Sequence, residues 1–560
     1  MIRIENLWFK YSEGRKWVLK NINFRVNRGE FVVIVGPNGS GKSTLIRILA
    51  GLVPKFYHGE IKGNVIVGNI NVLRNPEEVF KVAGFLFEDP EVQLVTTTVR
   101  DEVSFGPSNL GLNKDEIEKR VKWALEVVRG KILEERSNFE LSLGEMQKVV
   151  LASILSLKPK VLVLDEPSVF LETKTVSELY TILKDLAVNE HVTILAVEHD
   201  LNKVIEYADK LIVLDEGEII WQGKPEDLTV DMMQMLPMPQ LELIDLVKQL
   251  RNMNEHVLKE SIVKLHEIVE YISPKTMNLR FFKEHCETEI HNENLRDTIV
   301  EMENVWFKYP RTLTYAIKNI NLKISLGDSI GILGPNGSGK STLIKMMVGI
   351  LKPTHGLIRV LGVKPFKSRS KVAGKIGYVP QNPTLTFTSP TVFSEVYNVA
   401  KRLNVPNAAE STEKALETMG LTEYRDYKVL KLSYGLRRRL SIATAVVGKP
   451  RLLILDEPTT YLDYRSKRKL IKTLERIKKN TTLIIASQDL DLIVKLCNKI
   501  ALLANGSIVA YGETRKLVYS ENIKDLGIEE PLVIKLSKKF FKNIKYGPLT
   551  IEEFEKAMAK

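Results

Sequence analysis

A phosphate-loop pattern occurs twice in this chain, and few backbones can accommodate it. The first copy is Gly36-Pro37-Asn38-Gly39-Ser40-Gly41-Lys42-Ser43-Thr44; the second is Gly334-Pro335-Asn336-Gly337-Ser338-Gly339-Lys340-Ser341-Thr342. Each follows an apolar run, Phe31–Val35 or Ile330–Leu333, and precedes an apolar helical pattern. That is the strand–loop–helix context the motif requires. Its glycines let backbone N–H groups turn inward on an anion at a helix N-terminus. Lys42 and Lys340 have the reach to meet β- and γ-phosphates, and Ser43 and Ser341 suit Mg²⁺. Two copies in the right context imply nucleotide binding.

The repeat extends beyond the loop. A shift of 298 positions overlays Ile4-Glu5-Asn6-Leu7-Trp8-Phe9-Lys10-Tyr11 on Met302-Glu303-Asn304-Val305-Trp306-Phe307-Lys308-Tyr309. A shift of 291 overlays Val161-Leu162-Val163-Leu164-Asp165-Glu166-Pro167 on Leu452-Leu453-Ile454-Leu455-Asp456-Glu457-Pro458. The chain therefore reads as a duplication. The expected parts are an ATPase domain over 1–228, a helical tail and linker over 229–297, a second ATPase domain over 298–526, and a helical tail over 527–560.

Bulk properties narrow the class. The apolar runs are strand-sized, well short of the ~18 residues a membrane-spanning helix needs, and Met1-Ile2-Arg3-Ile4-Glu5 lacks a signal peptide's apolar core. The expectation is a cytoplasmic chain, or one peripheral to a membrane through a partner. With only Cys286 and Cys497, no disulfide framework is expected. The net charge of +12 invites a nucleic-acid reading, but lysines scattered over helical faces are the better account of it.

In both halves an apolar run ends in Asp-Glu, a buried strand delivering two carboxylates to its tip. Asp165 and Asp456 would hold Mg²⁺, and Glu166 and Glu457 would polarise the attacking water. Before each strand lies Leu-Ser-x-Gly: Leu141-Ser142-Leu143-Gly144 and Leu432-Ser433-Tyr434-Gly435. Alone, each reads as a helix N-cap. Together with the other motifs, over some 450 residues, it resembles the signature sequence of the ATP-binding-cassette (ABC) superfamily.

That resemblance implies an α/β fold of two tandem P-loop ATPase domains, each with a mixed sheet and a helical signature subdomain, in a pseudo-two-fold, head-to-tail arrangement. Two ATP molecules would sit at the seam, with Mg²⁺. One site would use Lys42, Asp165 and Glu166 with Ser433 and Gly435; the other would use Lys340, Asp456 and Glu457 with Ser142 and Gly144. Tyr11 and Tyr309 match the aromatic that stacks on adenine in this family, though a packed strand-end tyrosine is the alternative.

The departures from the family pattern differ between the halves. Leu143 and Tyr434 replace the first signature glycine, and Glu145 and Leu436 the following glutamine. The glutamine facing the metal and γ-phosphate is Gln381 in the second half but Glu88 in the first. The switch histidine is His199 in the first half and Gln488 in the second; glutamine can donate a hydrogen bond but carries no titrating proton. Unequal sites are expected, with the one containing His199 turning over faster.

Asp89-Pro90-Glu91-Val92-Gln93-Leu94, followed by Thr98-Val99-Arg100-Asp101-Glu102-Val103-Ser104-Phe105-Gly106-Pro107, is similar to the run found in the energy-coupling-factor group. That group energises importers of vitamins and transition metals. The resemblance implies two membrane partners, a transmembrane coupling protein and a substrate-binding protein, with no nucleic acid. Val92, Leu94 and Val95, with Leu385 and Phe387, either line the groove for a partner helix or belong to ordinary core. Amphipathic patterns after Pro239 and Pro531 resemble the group's helical tails. Met232, Met233, Met235 and Met238 read either as a contact surface or as core. The rival class is a soluble tandem ATPase acting on ribosomes or nucleic acid. Against it, the cassette pattern begins by Met1–Ile4, so an iron–sulfur head is not expected. The linker from Val230 to Asp297 also holds more acidic than basic residues, the wrong sign for phosphate.

Overall fold

The computed structural model describes residues 1–12, 14, 16–168, 171, 173–198, 201, 204–229, 232–233, 236, 297–310, 312, 314–460, 462, 464–540 and 546–558. The linker patterns, Pro239, Met235, Met238, Cys286 and His199 lie outside them. The chain divides into two compact units, Met1–Tyr271 and Ile272–Lys560.

In the first unit the phosphate-loop strand Phe31–Val35 is central in a six-stranded sheet. Strands Thr193–Glu198 and Lys210–Asp215 flank it, both parallel to it. Beyond the former lies Val161–Asp165, then Ala83–Leu86, again parallel. Glu218–Gly223 closes the other edge, antiparallel. All five residues of Phe31–Val35 and of Val161–Asp165 are buried, as expected of strands covered on both faces. A second, antiparallel sheet built on Ile2–Tyr11 carries the alternation of a one-sided strand.

The second unit repeats this plan. Ser329–Leu333 sits between Thr482–Ser487 and Lys499–Ala504, with Leu452–Asp456 and Ile376–Val379 further out. Each unit adds a helical arm ending in a signature helix, Leu143–Leu155 or Tyr434–Val446.

The pattern after Pro531 forms the helix Leu532–Phe540, and Ile551–Met558 follows it. Ile528, Ile534 and Leu549 join the same apolar core as the second unit's arm. Met233 is buried and Met232 exposed, so those two methionines divide between core and surface. No helix among the described residues is long and apolar enough to cross a membrane.

Candidate nucleotide sites

Parallel strands place their C-terminal ends on one sheet edge, where ligands bind in open α/β sheets. In each unit that edge carries the phosphate loop and the Asp-Glu pair. The register sets Val35 beside Glu198 and Asp165 beside Val197; in the second unit it sets Leu333 beside Ser487 and Asp456 beside Ala486.

The loops themselves demand glycine. A Cβ on Gly36 would stand 2.0 Å from the Leu214 carbonyl oxygen, and one on Gly334 2.2 Å from that of Leu503. Gly41 and Gly339, at φ 107° and 105°, cap the helices Lys42–Leu49 and Lys340–Met347 from the left-handed region. Pro37, Asn38 and Gly39, like Pro335, Asn336 and Gly337, form the outer rim, while Ser40 and Ser338 are buried. The hydroxyl oxygens of these two serines have no hydrogen-bond partner, a polar lining suited to an anion. Lys42 Nζ donates to the carbonyls of Gly36 (2.8 Å) and Pro37 (3.0 Å); Lys340 Nζ donates to Gly334 (2.7 Å) and Pro335 (3.0 Å). A phosphate would compete with those carbonyls for each ammonium.

Beside each lysine stand the carboxylates. Ser341 Oγ donates to Asp456 Oδ1 at 3.1 Å, and a hydrogen bond from Ser43 favours the charged form of Asp165. Burial, with Glu166 and Glu88 nearby, pushes the Asp165 carboxyl up to about 7. Burial also raises Asp456, against the opposing pull of Ser341, Lys345, Lys340 and Arg438. Asp165 Oδ1 is buried without a hydrogen-bond partner. A buried carboxylate paired with a serine hydroxyl fits a hard divalent cation, which would offset the burial cost. Ser43 with Asp165, and Ser341 with Asp456, would hold Mg²⁺, whose charge neutralises phosphate oxygens when bound. Glu88, half-buried, is close enough to raise Asp165, as expected of the carboxylate standing where the second unit has Gln381.

Glu166 and Glu457 sit at φ 52° and 46°, a strained conformation for a non-glycine residue. The N–H of Glu166 donates to Val197 O and that of Glu457 to Ala486 O, so each glutamate is held by the neighbouring strand. Glu457 also accepts from Ser487 Oγ at 2.9 Å and lies 3.5 Å from Lys340 Nζ. Burial raises its carboxyl, opposed by Lys340 and Ser487. In the first unit Glu198 occupies the Ser487 position. It accepts from the Ser168 N–H at 3.2 Å and from the Tyr180 hydroxyl, an arrangement with no counterpart in any sequence motif. Gln488 is exposed just past Thr482–Ser487.

Tyr11 and Tyr309 each share a 3.0 Å hydrogen bond with a phosphate-loop threonine, Thr44 or Thr342. The tyrosine ring thus stands over the start of the loop helix. Ser142 and Ser433 are exposed N-caps of the signature helices, each followed by its glycine, Gly144 or Gly435. Glu145 closes a capping box on Ser142, accepting from both its N–H and its hydroxyl at 2.8 Å. Leu436 makes no such bond to Ser433, which accepts only the Leu436 N–H at 3.4 Å.

The sequence model of the ABC transporter family matches residues 19–169 and again 317–460. The chain belongs to the ABC transporter ATP-binding family. It is 31% identical to a candidate ABC transporter ATP-binding protein of Caldanaerobacter subterraneus, over 99% of this chain and 98% of that protein. A similarly named protein of Methanosarcina mazei is also 31% identical, over 96% and 93%. Among solved structures, an archaeal ribosome recycling factor in complex with a ribosomal stalk protein shares the fold. Its TM-score is 0.55 at 19% identity, covering 93% of this chain and 92% of that one. ABC cassettes bind ATP with Mg²⁺ and hydrolyse it, and this chain carries two of them.

Proposed function

We propose that this two-cassette ATPase energises a membrane importer for a small micronutrient, a vitamin or a transition-metal ion, from the cytoplasmic face. The observation that carries the reading is the surface beyond Glu88. Val92 is 74% exposed, Val95 64% and, before the strand Ala83–Leu86, Phe80 52%; large exposed apolar side chains of this kind suit a partner helix. Leu94 is half-buried. At the corresponding positions the second cassette has Ala373 for Phe80 and Thr388 for Val95, and its Phe387 packs against the arm core. The naming of relatives as transporter ATP-binding proteins agrees with a membrane partner. The run from Asp89 to Pro107, similar to that of the energy-coupling-factor group, supports the import direction and the substrate class.

Within this reading the phosphate loops and Tyr11 and Tyr309 hold ATP. Ser43, Glu88 and Asp165, with Ser341, Gln381 and Asp456, face the metal. Glu166 and Glu457 orient the water, assisted by His199 and Gln488. Ser142 and Gly144, with Ser433 and Gly435, complete the phosphate sites. ATP binding and hydrolysis would then drive a conformational cycle in the membrane partner. The test is affinity purification of the tagged chain from gently solubilised native membranes. A polytopic coupling protein and a small substrate-binding membrane protein should copurify. Ribosomal proteins or nucleic acid, with no membrane protein, would replace this reading with the soluble one.

A further inference from the structure

The largest fully buried side chain among the described residues is a cation, Arg438. A buried guanidinium is costly unless its donors are matched, and the two terminal nitrogens of this one meet main-chain carbonyls. Its Nη1 donates to the Pro380 carbonyl and its Nη2 to the Gln381 carbonyl, both at 2.6 Å. The Tyr434 hydroxyl also donates to the Gln381 carbonyl, at 3.0 Å, and lies 3.2 Å from Arg438 Nη2. Tyr434 and Arg438 are one helical turn apart, at the start of the signature helix. Charge-assisted bonds to two consecutive carbonyls fix both peptide planes, and so the direction in which Gln381 projects.

The first cassette lacks this pair. Position 434 corresponds to Leu143 and position 438 to Gln147. Gln147 is buried, and its Oε1 has no hydrogen-bond partner. There the equivalent strand end is pinned by a side chain that follows it in sequence. Gln93 accepts from the Phe87 N–H at 2.7 Å and donates to the Phe85 carbonyl at 3.0 Å, tying the segment to the exposed Val92–Val95 stretch.

We propose that Tyr434 and Arg438 are positioning residues for ATP hydrolysis, locking the Pro380–Gln381 segment onto the first turn of the second cassette's signature helix. The nucleotide-facing loop and the signature serine then move as one body in the second cassette. In the first, the loop follows the partner-facing segment instead. The proposal rests on the reading of Gln381 as the residue facing the γ-phosphate.

The experiment compares Arg438→Gln, Arg438→Lys, Tyr434→Phe and Gln381→Ala in the full chain, reading kcat and KM for ATP and hydrogen exchange of the amides in 376–388. Arg438→Gln and Tyr434→Phe should speed exchange in that segment while leaving the 329–342 segment protected. They should lower kcat in the direction of Gln381→Ala, Arg438→Gln by about tenfold, with KM within about twofold. Arg438→Lys should recover part of both effects. Tyr434→Phe removes one hydroxyl and keeps the ring, so it carries the test if Arg438→Gln fails to fold. Unchanged exchange in 376–388, or full kcat in the clamp variants where Gln381→Ala loses it, would overturn the clamp. Full kcat in Gln381→Ala would instead overturn the reading of Gln381, and the catalytic role of the clamp with it.

Discussion

Lys340 and Glu457 form a buried ion pair, 3.5 Å from ammonium to carboxylate, inside the second nucleotide site. The pair joins the phosphate-binding lysine to the glutamate that would orient water, so the two groups that must act on the same γ-phosphate already share one small volume. Glu457 is held from the other side by Ser487.

From this follows the effect of removing the carboxylate. Glu457→Gln and Glu166→Gln should each lower the ATP turnover of the cassette concerned by about a hundredfold or more while nucleotide binding persists. Phosphate release and equilibrium binding of a fluorescent ATP analogue measure the two separately. Loss of binding in step with turnover would assign the glutamates a structural role.

The two sites should also respond unequally at the switch position. His199→Ala should cost more ATPase activity than Gln488→Ala, because only the imidazole can both donate and accept while changing charge. Equal losses would remove the basis for an asymmetric pair.

A buried carboxylate organises the segment after Glu88 and after Gln381. Glu102 Oε2 accepts from the N–H groups of Val95 (3.0 Å) and Thr96 (2.8 Å), and Glu395 Oε2 from those of Thr388 (2.9 Å) and Ser389 (2.6 Å). Replacing Glu102 by Ala leaves two part-buried donors without their carboxylate, a cost of about 1 kcal/mol or more. Hydrogen exchange should rise at Val95 and Thr96 before it rises in the strand Phe31–Val35. A uniform rise across the unit would contradict a local role.

In the second unit Lys467 bridges Asp489 and Asp491, at 2.8 and 2.9 Å, and Lys495 also meets Asp491. Burial alone would raise the Asp491 carboxyl, but the two lysines overcome it and hold that carboxyl below the usual carboxylate range. Stability from this cluster is therefore complete above the unfolded carboxylate's pKa and is lost as pH falls below about 4. Lys467→Met should cost about 3 kcal/mol at neutral pH, and Asp491→Asn should flatten the acid limb of thermal stability. An acid limb unchanged by Asp491→Asn would show that the cluster contributes nothing to it.

The duplicated loops and the Asp-Glu strands were legible because their chemistry is local. A glycine pressed against a carbonyl, as at Gly36, and an apolar run ending in carboxylates, as at Val161–Glu166, each leave their mark in consecutive residues. What escaped is chemistry between elements. The substitution of Tyr434 for a signature glycine was visible, but its purpose depends on Arg438 a turn later and on the Pro380 and Gln381 carbonyls more than fifty residues earlier. Main-chain acceptors have no side-chain signature, so no pattern could reveal that bond. Glu198 was hidden likewise, since its partners Ser168 and Tyr180 come from a loop and a helix brought beside it by the sheet. Sequence alone leaves Val92 and Val95 open between groove and core; both are exposed, whereas Phe387 packs on the core.

The most direct test of the account is a photo-crosslinking residue placed at Val92 in the full chain, in native membranes, with ATPase activity checked alongside. The account predicts an adduct with an integral membrane protein, absent when the residue is moved to the exposed Val509 of the second unit. An adduct with a ribosomal protein, or none at all from a chain that hydrolyses ATP normally, would contradict it.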